Sequence, residues 1–449
     1  LITGDGSLGG ETFDRFIAHP VSSIGGSTSV PGDKSISHRA LLLGAIGNGV
    51  STVDGLLVSE DCLATLAALR AMGVRIEEHS RGRFVIHGAG TQGLRAASRA
   101  LDVGNSGTAI RLLAGLLAGQ AFDSELTGDA SLCRRPMERV AEPLRAMGAE
   151  VTTTKGCPPL HIRGNPSLTG IDYTLPVASA QVKSALLLAG LSARGRTTVR
   201  SPAPSRDHTE RMLVAMGVAL EQSPDARVVS LNGPASLNAI DLTVPGDFSS
   251  AAFFIVAGCL RASEGLLIRG VGVNPTRTGL LDALRAMGAR IETREVRQSG
   301  SEPVADIYVR QSALRGIDVA PALVPLMIDE FPILFVAAAC ARGRTLVRGA
   351  EELRHKESDR IKTMANALGA VGIDARELAD GLVVEGGDIR GGVADSCGDH
   401  RVAMALAVAG LAAREPIQIL NTAQVGTSFP GFVASANQGG LRVDGMGSA

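Results

Sequence analysis

The phrase Leu69-Arg70-Ala71-Met72-Gly73 returns as Leu144-Arg145-Ala146-Met147-Gly148 and again as Leu284-Arg285-Ala286-Met287-Gly288. Val214-Ala215-Met216-Gly217 is a looser copy, and Ala370-Val371-Gly372 and Gly439-Gly440 are weaker ones. After each, alternating residues such as Val74-Arg75-Ile76 or Ala289-Arg290-Ile291 read as a strand. The shared glycine suits the left-handed residue that ends a helix, because it has no Cβ to clash there. Recurrence on this scale means one supersecondary unit used many times.

A second repeat keeps step with the first. Short polar clusters open apolar helices at Lys34-Ser35-Ile36-Ser37, Asn105-Ser106-Gly107-Thr108, Ser179-Ala180-Gln181, Asp247-Phe248-Ser249-Ser250, Asp329-Glu330 and Asp399-His400-Arg401. Successive clusters lie about 70 to 80 residues apart. Each unit reads as polar cap, apolar helix, hairpin strands, amphipathic helix, glycine cap and strand, and six units fill nearly the whole chain. The fold class is therefore α/β. Val30-Pro31-Gly32-Asp33 opens one half and Val244-Pro245-Gly246-Asp247 the other. Two lobes of three units are expected: 30–241, and 242–449 together with 1–29, which lack a full unit and trail back. The chain then crosses between lobes near 25–31 and 238–246. A cleft between lobes is a preferred place for a small molecule.

Composition narrows the function. The chain is 45% hydrophobic and 20% charged, enough to bury two cores. No run approaches the ~18 apolar residues of a membrane span, and residues 1–20 lack the apolar stretch of a secretory signal. Six scattered cysteines (Cys62, Cys133, Cys157, Cys259, Cys340, Cys397) form no C-x-x-C pair and no metal-ligand spacing. Reduced thiols, a cytoplasmic location, no metal and no cofactor are the expectations. A net charge of −1 and an aromatic set of eleven Phe, two Tyr and no Trp argue against nucleic acid. An anionic ligand must then be held by a local cluster. Helix N-termini supply one, since their free N–H groups and about half a positive charge attract anions.

Several charged segments fit that role better than a structural one. Lys34 and Arg39 fall in the first turns of a helix, where cations oppose the dipole. Arg134-Arg135-Pro136 also reads as a helix opening with unfavourable cations. Lys356 and Arg360, four apart, would share one helical face beside Glu357, which suits an anion next to a proton-transfer carboxylate. Of the two acids Asp329-Glu330, one is explained as a helix cap, leaving the other for chemistry. Arg206-Asp207-His208-Thr209-Glu210 is equally readable as a capped helix start or as part of a site.

These residues resemble a known family. Pro31-Gly32-Asp33-Lys34-Ser35-Ile36-Ser37-His38-Arg39, Gly104-Asn105-Ser106-Gly107-Thr108-Ala109-Ile110-Arg111, Lys356-Glu357-Ser358-Asp359-Arg360 and Asp399-His400-Arg401 are similar to motifs of the 5-enolpyruvylshikimate-3-phosphate synthases. Ser179–Ser184, Asn274–Gly279 and Ile328–Pro332 look like the second bacterial class. The resemblance covers essentially the whole chain. It implies a two-lobed inside-out α/β barrel, each lobe made of three βαβαββ units, working as a monomer on two small molecules without nucleic acid or membrane. It also implies transfer of an enolpyruvyl group from phosphoenolpyruvate to the 5-hydroxyl of shikimate 3-phosphate through a tetrahedral ketal.

Carried over by position, the resemblance implies that Lys34, Ser35, Arg39, Ser179, Ala180, Gln181, Ser205, Asp329 and Lys356 bind shikimate 3-phosphate. Lys34, Asn105, Gly107, Arg135, Gln181, Arg360 and Arg401 would bind phosphoenolpyruvate. Asp329 would take the hydroxyl proton, and Glu357 or Lys34 would protonate the methylene. Two positions depart from the family pattern: Thr427 stands where many members carry Lys, and Glu352 where some carry Asn. The sister enzyme that loads enolpyruvyl onto a UDP-amino sugar uses a loop cysteine before an Arg-Pro pair. Cys133 stands closer to Arg135-Pro136 than that loop requires. A pseudo-six-fold DNA clamp is the non-enzyme alternative, but it calls for cations along helix lengths rather than crowded at helix starts.

Overall fold

The computed structural model describes residues 13–447, so residues 1–12, expected to pair with the second half, lie outside the described residues. The glycine that closes each repeated phrase adopts positive φ in all six units: +87° at Gly73, +98° at Gly148, +90° at Gly217, +94° at Gly288, +93° at Gly372 and +92° at Gly440. An L side chain rarely tolerates that conformation, which is why the glycine recurs.

The opening helices form where the polar clusters predict them. Asp33, Ser106, Ser179, Asp247 and Asp399 each accept a backbone N–H in the first turn of the helix that follows. The Phe331–Ala339 helix differs. Glu330 occupies its cap position without a side-chain cap bond, and Pro332 removes one of the donors a cap would take. Neither Asp329 nor Glu330 is therefore spent on capping.

These helices are apolar all round, so they are stable only when enclosed. Every residue of Phe331–Ala339 is buried, and Gly107–Ala118 is buried except at Thr108. At Gly115 a side chain would collide with the Ala185 carbonyl, so the Gly107–Ala118 and Ala180–Gly190 helices meet backbone to backbone. Sheets wrap the outside, each with one wet and one buried face, as the alternating burial of Cys157–Arg163 illustrates.

Five of the six sheets among the described residues share one pattern: an outer strand runs parallel to its neighbour, followed by two antiparallel pairings. In the first, Asp241–Thr243 runs parallel to Asn48–Asp54, which pairs with Arg83–Ala89 and then Arg75–Ser80. One sheet has three strands, Arg344–Val347, Gly381–Glu385 and Ala375–Leu378, and isolated parallel bridges, Arg315 to Arg342 and Asp318 to Leu346, take the outer place. The outer strands of the first and fourth units are exchanged. Gly26–Ser29 joins Leu266–Gly272 of the second half, while Asp241–Thr243 stays with the first. The chain thus leaves the first-half sheets after Thr243, not at 241, and Leu242 and Val244 bury in the first-half core. Arg15–His19 sits between Ile417–Leu420 and Arg442–Met446.

Two separate apolar cores result, one spanning Ile36 to Val244, the other Phe16 to Ile24 with Phe248 to Val443. Between them the chain crosses twice, and the crossings bond to each other. The Asp33 N–H donates to Pro245 O and the Asp247 N–H to Pro31 O, both at 2.8 Å. Among the described residues no helix is long and apolar enough to cross a membrane.

The positive-φ glycines generate a stability prediction. At Gly288 an added Cβ would make only an ordinary contact with Ala313 O, 3.6 Å away, so backbone strain alone sets the cost. Gly288→Ala is expected to destabilise by about 1–2 kcal/mol and Gly288→Asn by less. Urea unfolding checks it; an alanine variant as stable as the parent would contradict the left-handed cap.

Candidate active site

All six opening clusters meet at one cavity between the two cores. Of the residues singled out in the sequence, Lys34, Ser35, Asn105, Gly107, Arg135, Ser179, Ala180, Gln181, Ser205, Asp329, Lys356, Glu357 and Arg401 line it. Eight Lys and Arg side chains face five Asp and Glu there. The excess of cations makes the cavity a site for anions.

The first half contributes a chain of donors. Lys34 Nζ lies 3.0 Å from Asp61 Oδ2 and 2.5 Å from Ser428 Oγ of the other half. Arg111 is buried, donating to Gly107 O at 3.0 Å and to Gln181 Oε1 at 2.6 Å, while Gln181 Nε2 donates to Thr108 Oγ1 at 3.0 Å. Burial first, then the charges of Arg139 and Arg135, lowers the Arg111 guanidinium to about 9. Three arginines crowded in this way favour a bound anion. Arg135 donates to Asn105 Oδ1 and faces Glu357 Oε1 at 3.8 Å. A Cβ at Gly107 would lie 2.9 Å from both Arg111 Nη1 and Arg135 Nη1, so glycine keeps these guanidiniums in place.

The second half contributes acids held among cations. Asp329 Oδ2 accepts from Arg206 at 2.5 Å, and its Oδ1 lies 3.5 Å from Lys356 Nζ and 3.4 Å from Arg360 Nη1. Burial raises the Asp329 carboxyl, but Lys356, Arg206, Arg401 and Arg360 together outweigh it and hold the group well below the usual carboxylate range. Glu357 accepts from Arg360 Nη2 at 2.6 Å. It too is held low: burial is outweighed by the charges of Arg360 first, then Arg135 and Lys34. Both acids are therefore ionised. Burial and the Lys34 charge push His400 down to about 3, leaving a neutral imidazole.

Several expectations change. Arg39 is buried and does not line the cavity; it bonds Thr209 Oγ1, Ser184 Oγ and Ser35 O, all within the first half. Arg360 is 1% exposed and sits behind the wall, with its Nε 2.8 Å from Asp399 Oδ2. Lys356 and Arg360 do not share a helical face. Lys356 follows the short turn Glu351–His355 in extended conformation, and the helix starts only at Arg360. Arg135 is not in a helix either: Pro136 disfavours the helical conformation before it, and the helix begins at Glu138. Asp207 makes no cap bond but pairs with Arg211 and accepts from Asn274.

At the two departures, Thr427 Oγ1 donates to Gln424 O at 2.7 Å, and Glu352 accepts from Lys356 at 2.9 Å on the cavity wall. Cys133 donates to Gly128 O at 3.3 Å and is not on the wall. Asp61, Arg111, Arg139 and Arg277 line the cavity without having been singled out as ligands. An arginine within the otherwise apolar Gly107–Ala118 segment was a readable signal. Asp61 gave none, because an acid in a first turn is ordinary, whereas Arg139 carried the same signal as Lys34, a cation opposing the dipole of its helix start.

A family model described as EPSP synthase (3-phosphoshikimate 1-carboxyvinyltransferase) matches residues 18–435. Over 430 residues the chain is 55% identical to the 3-phosphoshikimate 1-carboxyvinyltransferase of Methylococcus capsulatus, covering 96% of this chain and 98% of that one. That of Legionella pneumophila is 53% identical over 423 residues, covering 94% and 97%. Among solved structures, EPSP synthase from Acinetobacter baumannii superposes with a TM-score of 0.86 at 49% identity, covering 96% of this chain and 99% of that one.

Proposed function

The chain belongs to the EPSP synthase family, and from that premise we propose how its cavity moves the enolpyruvyl group of phosphoenolpyruvate onto the 5-hydroxyl of shikimate 3-phosphate, releasing phosphate. The observation that carries the assignment is the meeting of two ionised acids, Asp329 and Glu357, with a surplus of cations drawn from both halves.

Shikimate 3-phosphate lies against Lys34, Ser35, Ser179, the Ala180 backbone, Gln181 and Ser205, with Lys356 orienting its ring oxygens. Phosphoenolpyruvate is gripped by Asn105, Arg135 and Arg401, close to the Gly107 backbone. Arginine suits these positions because its planar fork meets carboxylate and phosphate at two points. Arg39 acts through Ser35 and Arg360 through Asp329, Glu357 and Asp399, as positioning residues rather than ligands.

In the addition step the Asp329 carboxylate accepts the 5-hydroxyl proton while the oxygen bonds to C2 of phosphoenolpyruvate. The methylene takes a proton to become methyl. Lys34 is the donor the resting state favours, since an ionised Glu357 has no proton to give. Glu357 gains that capacity only when bound anions offset Arg135 and Lys34. In the elimination step the C–O bond to phosphate breaks and the methyl returns its proton. The Cys133 contacts speak against the UDP-amino sugar reaction. The separate cores and double crossing support two lobes that move as bodies.

Phosphate release with both substrates, with each omitted, and with a UDP-amino sugar replacing shikimate 3-phosphate tests the reading. Release only with the first pair is expected; release with the UDP-amino sugar would overturn it. Asp329→Asn should lower turnover by ~10²–10⁴-fold while shikimate 3-phosphate still binds. A variant keeping more than about a tenth of turnover would remove Asp329 as the base.

The pH dependence follows from the charges. Lys356 is the largest of the cations holding Asp329 low, so Lys356→Met raises that carboxyl. Asp329 must be ionised to accept a proton, so the variant loses activity as pH falls through the raised value. The variant-to-parent ratio of kcat/KM is therefore expected to fall as the pH is lowered, a comparison in which titration of the substrates cancels. A ratio independent of pH would contradict it.

A further inference from the structure

The place where the halves join contains a buried charge that the reaction does not use. Pro31-Gly32-Asp33 and Pro245-Gly246-Asp247 cross side by side, and each aspartate caps the opening helix of its own half. Arg277, 3% exposed, lies between them. Its Nη1 donates to Asp33 Oδ2 at 2.5 Å, and its Nη2 donates to Ser249 Oγ at 2.7 Å and reaches Asp247 Oδ1 at 3.4 Å. Glu330 Oε1 stands 3.9 Å away. The turn that presents Arg277 is itself tied to the first half, because Asn274 Nδ2 donates to Asp207 Oδ1 at 2.6 Å. One arginine therefore serves capping acids that belong to opposite halves.

We propose that Arg277 is a positioning residue for the reaction. By pairing both capping aspartates it fixes the angle at which the Lys34 and Phe248 helices meet. That angle sets the register of Lys34 against the second-half groups Asp329, Lys356 and Arg401. Its terminal nitrogens are engaged by Asp33, Asp247 and Ser249, so it is a poor candidate for gripping a substrate anion although it borders the cavity. Without it, the two buried carboxylates at the junction lose their shared cation, and Asp247 keeps only the weaker influence of Arg401. Like charges held together out of water repel strongly, and that repulsion acts on the joint itself. Burial and the Asp33 charge already push Asp247 up to about 6 with Arg277 present.

The inference rests on the reaction assigned above, and parent turnover measured alongside the variants separates its failure from failure of that assignment. In the full-length protein, Arg277→Gln is expected to lower kcat by about 100-fold, the scale of an ångström's misplacement. Affinity for shikimate 3-phosphate alone, which is held mainly by the first half, should stay within about threefold. Adding Asp33→Asn, which keeps a capping oxygen but removes the charge, should recover about tenfold of the lost turnover. Should the glutamine variant not fold, Arg277→Lys keeps the charge but cannot span both acids. It should lose about tenfold in kcat with the same retained affinity. Affinity that falls in step with kcat would make Arg277 a ligand instead. Turnover within about twofold of the parent, or no recovery on adding Asp33→Asn, would overturn the proposal.

Discussion

The opening helices are apolar on every side, and that constraint organises the molecule. Such a helix must be enclosed, so three gather at the centre of each half with sheets outside. Helices packed together with a common direction must end together. Their N-termini therefore emerge on one face of each half, with their polar caps and the positive ends of their dipoles. Two such faces turned toward each other make a cavity that an anion occupies more favourably than anything neutral. The site is a consequence of how the cores are filled.

Electrostatics within that cavity are balanced rather than simply positive. Arg360 engages Asp399, Glu357 and Asp329 from behind the wall, so one buried cation holds three acids in place. A buried charge left without its partners is costly, which makes this cluster rigid. Lys34 is steadied by Asp61 from its own half and by Ser428 from the other. The acids are thus ionised and fixed before any substrate arrives. Bound phosphates and carboxylates then draw off the cations that keep Asp329 and Glu357 weakly basic, so binding itself tunes the groups that move protons.

The fold was legible because its signals are local. A glycine forced to positive φ, as at Gly148 or Gly372, writes itself into the sequence at every repeat. So does a capping Asp or Ser before an apolar run. The site was legible where polar residues sit at those caps, as with Lys34, Gln181 and Arg401. What escaped depends on neighbours distant in the chain. Nothing local tells that Arg277 meets Asp33, or that Arg39 bonds Ser184 and Thr209. The helical spacing assumed for Lys356 and Arg360 failed because Asp359 caps a later start, with its side chain accepting the Lys362 N–H. The edge at 241 failed by a few residues because a short parallel strand gives no periodic signal of its own.

The central claim is that two bodies, between which the chain crosses twice, complete one anion site between them. Small-angle scattering of the full-length protein with and without shikimate 3-phosphate tests it most directly, because closure about such a joint changes overall size. A smaller radius of gyration with the ligand is predicted. A radius unchanged by saturating ligand would mean that the halves are fixed from the start and would contradict the account.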